Sequence, residues 1–128
     1  MVKMRQAKVD KVADYIPEQK IDNGKEKGKI LVLGWGSTYG SIKTAVRDCI
    51  DRGIDVTHVQ VRHINPLPKN LGSMLKNYEK VLMPEMNNGQ FSKIIREKYL
   101  IDTIGFDKIK GVPFSAAELI KKIEEINK

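Results

Sequence analysis

Three short stretches of the sequence carry groups that could bind a ligand. The first is the glycine turn "GWGSTYG", in which Trp35, Gly36, Ser37 and Thr38 follow an apolar run. Glycines at the end of a strand let the backbone pass close to a phosphate, and the helix that follows offers N–H donors to it. The spacing G-x-G-x-x-x-G is one residue longer than the dinucleotide fingerprint and lacks the P-loop lysine. The turn is therefore either a nucleotide site or a structural turn with Ser37 or Thr38 as a helix cap.

The second stretch, "RHINPLPKN", places Arg62, His63 and Asn65 after another apolar run. Arg62 could contact a 2′-phosphate, and His63 could act as an acid or a base. The sequence fixes no cysteine, serine or carboxylate partner for His63, so a hydrogen-bonded histidine at the end of a strand is the alternative.

The third stretch, "PEMNNGQ", groups Glu85, Asn87 and Gln90 between an apolar run and a helical pattern. Polar groups at such a place suit contacts with a ligand or with another subunit. An asparagine-based helix cap is the structural alternative. We assign no residue of the three stretches to catalysis or to metal binding, and we treat them as candidates for a cleft or an interface.

Strand patterns alternate with helix patterns along the chain and would position these stretches. Apolar runs predict strands at 29–35, 54–64 and 80–85 and around Ile104 and Phe106. Pro84 is expected to stop the third strand. In the second strand, valines alternate with polar residues, a period of two that predicts one buried and one exposed face. The valines are Val59 and Val61, and the polar residues are His58, Gln60 and Arg62.

Apolar residues at helical spacing predict a helix after each strand. Their expected buried positions are Tyr39, Ile42, Val46, Cys49 and Ile50, then Leu71, Met74, Leu75 and Tyr78, then Phe91, Ile94 and Ile95, and finally Leu119, Ile120 and Ile123. The last helix opens with Ser115 and Glu118 at the spacing of a capping box.

Four successive strand-helix units call for a mostly parallel sheet covered by helices on both faces, because parallel strands need crossovers to return. We predict a three-layer α/β/α domain over residues 29–128. Residues 1–28 are predicted to form an N-terminal helix and a charged, glycine-containing linker. The three stretches would then lie at the carboxyl ends of the strands, where such sheets bind ligands.

The composition of the 128 residues, 41% hydrophobic and 30% charged, is that of a soluble globular protein. We expect the cytoplasm and no membrane contact, because no apolar run approaches about 20 residues and no secretory signal is recognisable. The formal charge of +7 suits an acidic partner. The basic residues are scattered without a basic and aromatic recognition stretch, so we expect a protein rather than a nucleic acid. The single cysteine excludes an internal disulfide.

Four segments taken together resemble a known family. In order and spacing, "LVLGWGSTYGSIKTAV", "HINPLPKNL", "KVLMPEMNNGQFSKIIREKYLID" and "GVPFSAAELI" are similar to the C-terminal domain of the alpha subunit of 2-oxoacid:ferredoxin oxidoreductases, most closely the 2-oxoglutarate type. The resemblance runs from about Lys3 to about Ile123. It implies a fold like the transketolase C-terminal domain, and a role mainly in subunit assembly and cleft formation.

The resemblance also implies a complex in which thiamine diphosphate attacks the 2-oxoacid, an iron-sulfur cluster carries electrons to ferredoxin, and coenzyme A accepts the acyl group. The expected partners are the remainder of the alpha subunit, a beta subunit, accessory subunits and ferredoxin. The chain alone is expected to bind none of the cofactors and to be inactive, as a fragment of a longer alpha subunit. Two alternatives stay open: a stand-alone nucleotide-binding domain that uses the glycine turn and Arg62, and a protein-interaction module.

Overall fold

The computed structural model describes residues 18–62, 68–85, 90–107 and 114–127. Strands and helices alternate in these ranges. They are β1 (Gly28–Trp35), a 3₁₀ turn (Gly36–Thr38), α1 (Tyr39–Asp51), β2 (Val56–Val61), α2 (Leu71–Leu75), β3 (Tyr78–Glu85), α3 (Gln90–Tyr99), β4 (Ile104–Asp107) and α4 (Ala116–Asn127). The predicted N-terminal helix lies outside the described residues.

Within the described ranges, four strands form one parallel sheet in the order β2-β1-β3-β4. In the register of the sheet, Val32 of β1 lies between His58 of β2 and Leu82 of β3. The chain leaves β1 for β2 on one side and then crosses to β3 on the other. Open α/β sheets bind ligands where the connections diverge in this way, at the carboxyl ends of the strands.

Helices cover both faces of the sheet, as predicted. Ile30 and Val32 of β1 pack with α1 and α4 on one face, whereas Leu31 and Leu33 pack with α2 and α3 on the other. A strand that is buried on both faces needs a continuous apolar run, and β1 has one. Cys49 lies fully buried in the core between α1, α4 and the sheet, as expected. The three-layer α/β architecture is thus confirmed.

Strand β2 is buried along its whole length, so the prediction of one exposed face is wrong. His58 and Gln60 lie on the face covered by α1, where the ring of Tyr39 is centred 5.5 Å from the imidazole. Helix α1 covers these polar residues and removes them from solvent. The alternation of apolar and polar residues in the sequence cannot predict that a helix packs on the polar face. Arg62, just beyond the strand, is exposed.

Three smaller predictions are also wrong. Tyr78 begins β3, because α2 ends at Leu75 and the chain turns through Asn77. Ile94 is 41% exposed, since the packed stripe of α3 is narrower than its apolar pattern suggests. Pro84 lies inside β3. Pairing with β1 has ended by that point, so the missing N–H is tolerated as at a sheet edge.

The capping box of α4 is confirmed. The backbone N–H of Ser115 donates to Oε1 of Glu118 at 3.3 Å, and the N–H of Glu118 donates to Oγ of Ser115 at 3.2 Å. Two donors that would lack partners at the helix start are thereby satisfied.

Residues 18–25, named here the edge segment, lie along the outer side of β2. His58 donates its N–H to the carbonyl of Asn23 at 2.7 Å and accepts from the N–H of Asp22 at 2.9 Å. The N–H of Gln60 donates to Oδ2 of Asp22 at 2.7 Å, and its carbonyl accepts from Nε2 of Gln19 at 2.8 Å. An unpaired sheet edge is a template for aggregation, and the edge segment occupies it. The predicted domain boundary near residue 29 stays a prediction.

None of the helices in the described ranges is long and apolar enough to cross a membrane.

Candidate functional site

The glycine turn joins the carboxyl end of β1 to α1. Gly36 has a φ of +69°, in the left-handed region that glycine adopts without strain. A Cβ at Gly36 would meet no atom within 4 Å, so its role is conformational. Gly34 has the opposite role, since a Cβ there would lie 2.6 Å from Cδ1 of Ile42 and would also meet Oε1 of Gln60. The two glycines therefore serve a turn and a close packing contact.

Thr38 does not cap α1 with its side chain, so that prediction is wrong. Its hydroxyl instead donates to the carbonyl of Trp35 at 3.0 Å, which tightens the turn. Ser37 lies within the 3₁₀ turn, and its predicted capping role stays a prediction. The start of α1 is thus shaped by backbone conformation at Gly36.

A cavity of about 280 Å³ opens beside the glycine turn, at the carboxyl ends of β1 and β2. It is lined by Trp35, Gly36, Tyr39, Gln60, Val61 and Arg62. Trp35 is 43% exposed, and its ring is centred 5.9 Å from the ring of Phe91 in α3. The indole is therefore packed on α3 while part of its surface faces solvent. The first two of the three predicted stretches meet here.

Two cations surround the ring of Tyr39 at this cavity. Cζ of Arg62 lies 5.6 Å and Nζ of Lys43 lies 5.8 Å from the ring centre. Both distances allow a cation–π attraction. Nη2 of Arg62 also lies 3.4 Å from Oδ1 of Asp22 in the edge segment, while the Arg62 side chain is 60% exposed. The cavity therefore has a basic and aromatic rim.

Beneath the cavity, a hydrogen-bond chain runs from His58 through Gln60 to Gly36. Nε2 of His58 lies 3.1 Å from Oε1 of Gln60, and Nε2 of Gln60 donates to the carbonyl of Gly36 at 3.3 Å. An amide oxygen only accepts, so Nε2 of His58 carries the proton. Nδ1 of His58 has no partner among the described residues. Burial lowers the pKa of His58, against the raising effect of the Gln60 hydrogen bond, and the imidazole is neutral at neutral pH.

Glu85 of the third stretch is buried at the end of β3. Oε1 of Glu85 accepts from the N–H of Phe91 at 2.6 Å, and Oε2 accepts from the N–H of Ser92 at 3.1 Å. A carboxylate is favourable at a helix N-terminus because of the helix dipole. Glu85 is thus a side-chain acceptor at the start of α3, whose first residue is Gln90. The asparagine-based cap falls outside the described residues.

The predicted site residues are placed unequally by the structure. Trp35, Gly36 and Arg62 share one cavity, and the ring contact of Trp35 with Phe91 joins the first stretch to α3, the helix that begins at the end of the third stretch. The positions that lie outside the described residues are His63, Asn65 and Asn87. Sequence reasoning missed Tyr39, Lys43 and Gln60. The helical spacing of Tyr39 and Lys43 just after the turn was the available signal.

Other chemistry-bearing side chains serve the fold. Burial is the main cause that raises the pKa of the Cys49 thiol, which therefore stays protonated in the core. In the ranges that the structure covers, no group of three His, Cys, Asp or Glu side chains is placed to hold a metal ion.

Comparison with known proteins places the chain in a family. Residues 28–111, more than half of the chain, match the family model described as pyruvate:ferredoxin oxidoreductase core domain II. The 2-oxoglutarate oxidoreductase subunit KorA of Mycobacterium tuberculosis is 43% identical over 119 residues, which are 93% of this chain and 18% of that protein. The 2-oxoglutarate synthase subunit KorA of Methanocaldococcus jannaschii is 34% identical over 84 residues, which are 60% of this chain and 23% of that protein.

The chain thus spans about a fifth of the length of these curated relatives. A solved structure shares its fold: the 2-oxoglutarate:ferredoxin oxidoreductase from Magnetococcus marinus, with 2-oxoglutarate, coenzyme A and succinyl-CoA bound, superposes with a TM-score of 0.86 at 23% identity. The match covers 93% of this chain and 21% of the other. The chain belongs to the family of the pyruvate:ferredoxin oxidoreductase core domain II.

Proposed function

We propose that this chain acts as core domain II in the alpha subunit of a 2-oxoglutarate:ferredoxin oxidoreductase. The observation that carries the proposal is the 43% identity over 119 residues to the KorA subunit of Mycobacterium tuberculosis. The Methanocaldococcus relative is also named for 2-oxoglutarate. Relatives from Aeropyrum pernix and Saccharolobus solfataricus, at 30% and 31% identity, are named for 2-oxoacids in general. The names at higher identity favour 2-oxoglutarate as the substrate of the complete complex.

The role proposed for this domain is assembly of subunits and formation of a cleft. The contacts made by the polar groups of the domain support this role. Glu85 caps α3, the edge segment occupies the edge of β2, and His58 is buried and neutral. These groups hold the carboxyl ends of the strands in place beneath Trp35 and Arg62. A surface whose backbone is held in place by such contacts suits binding to a neighbouring domain or subunit.

The redox cofactor of the proposed complex does not fit this chain. An iron-sulfur cluster needs about four cysteine ligands, and the sequence has one, Cys49, which is buried in the core. We therefore propose that the cluster is held by other chains, which pass its electrons to ferredoxin.

The two organic cofactors fit the described cavity no better. The cavity beside Trp35 has a volume of about 280 Å³, at the lower limit of the roughly 300–1,000 Å³ of sites for drug-sized ligands. Thiamine diphosphate and coenzyme A are accordingly proposed to lie mainly against the rest of the alpha subunit, the beta subunit and the accessory subunits. The complete complex is proposed to work in the cytoplasm.

A chimera tests this proposal. The matched segment of the Mycobacterium tuberculosis KorA subunit is replaced by this chain, and the chimera is produced with the subunits that accompany that KorA. We expect the subunits to purify together and to reduce ferredoxin in the presence of 2-oxoglutarate and coenzyme A. The control chimera carries Val46→Asp, a charge in the buried core, and should fail to assemble. If the chimera without Val46→Asp folds but does not assemble with the other subunits, the proposed role is refuted.

A further inference from the structure

We propose that the rim of the cavity beside the glycine turn is a docking surface for an acidic segment of a partner protein. The rim consists of Trp35, Tyr39, Lys43 and Arg62, and we name it the basic aromatic surface. The inference names the partner chemistry for the proposed assembly role and rests on that role.

The residue types of this surface are those that dominate protein interfaces. Tryptophan, tyrosine and arginine are enriched among residues that contribute most of the binding energy. Trp35, Tyr39 and Arg62 all line the same cavity. Trp35 is 43% exposed although its ring packs on Phe91. An aromatic side chain that is already held by a neighbour loses little conformational entropy when a partner binds.

The charge of the surface selects an acidic partner. Arg62 and Lys43 both lie within 6 Å of the Tyr39 ring, at 5.6 and 5.8 Å. Asp22 offsets this charge only in part, because it is a single carboxylate beside two cations. One of its oxygens also accepts from the N–H of Gln60 at 2.7 Å. Its other oxygen lies 3.4 Å from a single nitrogen of Arg62. A guanidinium has five N–H donors, so an oriented Arg62 keeps donors for a second carboxylate.

The size of the cavity favours a peptide side chain over a nucleotide. Its volume of about 280 Å³ is at the lower limit of the range for drug-sized ligands. A glutamate or aspartate side chain fits such a space, and the exposed indole beside it offers apolar contact to the rest of a peptide. A dinucleotide would have to lie mostly outside the cavity.

The single tryptophan of the chain allows a direct test. A peptide of consecutive glutamates is titrated into the 128-residue chain at low salt, with a glutamine peptide of equal length as the control. We expect a saturable change in Trp35 fluorescence with the glutamate peptide alone, weakened by added salt because the attraction is electrostatic. Arg62→Gln should weaken binding about fivefold, the effect of one partly exposed ion pair.

A matched variant separates this site from general attraction to a basic protein. Arg52→Gln also removes one positive charge from an exposed ion pair. In that pair Nη1 of Arg52 lies 2.8 Å from Oε1 of Glu124. This variant should leave peptide binding nearly unchanged. Equal losses in the two variants would overturn the proposal, as would unchanged fluorescence. Tighter binding of tripolyphosphate or NADPH than of the peptide would also overturn it, because it would assign the surface to phosphates.

Two further measurements keep the test decisive. Circular dichroism checks that each variant is folded, and Arg62→Lys replaces Arg62→Gln if the latter is not. The lysine variant keeps the charge without the planar fork and should bind with reduced affinity. Peptide binding that persists while the KorA chimera fails to assemble counts against the proposed function alone. Assembly without peptide binding counts against this inference alone.

Discussion

The imidazole of His58 and the amide of Gln60 lie two residues apart on β2 and meet at 3.1 Å between Nε2 and Oε1. Gln60 continues the contact to the carbonyl of Gly36 at 3.3 Å. A buried histidine is thereby connected to the turn that shapes the start of α1.

Replacing Gln60 by methionine should destabilise the protein. Gln60→Met keeps the length of the side chain but leaves the His58 donor and the Gly36 carbonyl without their partner. Leaving a buried polar group unpaired costs about 1–3 kcal/mol. Urea denaturation should show this loss in the free energy of unfolding. Ser73→Ala, which removes an exposed hydroxyl contact to Asn70, is the control and should change the free energy by less than about 0.5 kcal/mol.

The stability of the protein should fall as the pH is lowered through the unfolded pKa of His58. In the folded state this pKa lies below its ordinary value of 6.5, chiefly because burial disfavours the imidazolium. Asp22 raises it, whereas Arg62 and Lys43 lower it further. Below about pH 6.5 the unfolded chain binds a proton that the folded chain does not, so protonation favours unfolding. The slope can reach about 1.4 kcal/mol per pH unit.

Denaturation measured between pH 7.5 and 5.5 checks this prediction. His58→Gln should flatten the dependence on pH, since glutamine does not titrate. The sequence has two histidines, so His63→Gln is measured beside it to tell which of the two produces the slope. If the slope disappears in the His63 variant and not in the His58 variant, His63 causes the pH dependence and the prediction is wrong.

The two glycines of the turn should respond to substitution for different reasons. Gly34→Ala introduces a Cβ 2.6 Å from Cδ1 of Ile42, and overpacking of this kind costs about 1–3 kcal/mol. At Gly36 space is available, but the φ of +69° disfavours most side chains. Gly36→Val should therefore destabilise, while Gly36→Asn should be tolerated better because asparagine adopts positive φ more readily. Thermal unfolding gives the order, and equal losses for Val and Asn would show that φ is not the cause.

Glu85 should contribute to stability through the start of α3. Glu85→Leu removes both acceptors of the Phe91 and Ser92 N–H groups, with an expected loss of about 1–3 kcal/mol. Glu85→Gln keeps one acceptor oxygen and should lose less. Glu124→Gln, at an exposed position of α4, provides the matched control, and a comparable loss there would contradict a specific cap at Glu85.

Leu100 should be replaceable by glycine with a gain in stability. It follows α3 with a φ of 54°, is 88% exposed, and donates its N–H to the carbonyl of Arg96 at 2.9 Å. This is the position at which helices commonly end in glycine. Glycine relieves the strain of the left-handed backbone, but its greater freedom in the unfolded chain offsets part of this gain. The free energy of unfolding should therefore rise by about 0.5–1 kcal/mol. Leu100→Ala removes the same apolar surface but keeps the Cβ, so an equal gain there would exclude backbone strain as the cause.

Local patterns predicted the elements that carry their own signal. The apolar run of β1 and the capping box of Ser115 and Glu118 were read correctly because burial on two faces and reciprocal capping each leave a pattern in a few residues. Tyr78 was misplaced because a turn at Asn77 ends α2 while the apolar spacing continues.

Contacts made by distant parts of the chain were not predictable in the same way. His58 and Gln60 are polar, and only the packing of α1 over β2 makes them buried. The edge segment has the composition of a linker, yet Asp22 accepts from the backbone of a strand 38 residues away. The proposed cleft or interface was located at Trp35 and Arg62 by the rule for parallel strands. It stays a prediction until binding is measured.

The edge segment also determines how the domain would bear a mechanical load. It meets β2, at the border of the sheet, through Asn23 and Asp22 before the chain enters β1 at Gly28. A pull on the chain ahead of residue 18 would thus be taken up by hydrogen bonds at the border, and the central strand would be shielded until these bonds had opened. The edge segment would in this way protect the central strand β1 from a force applied to the chain that precedes it.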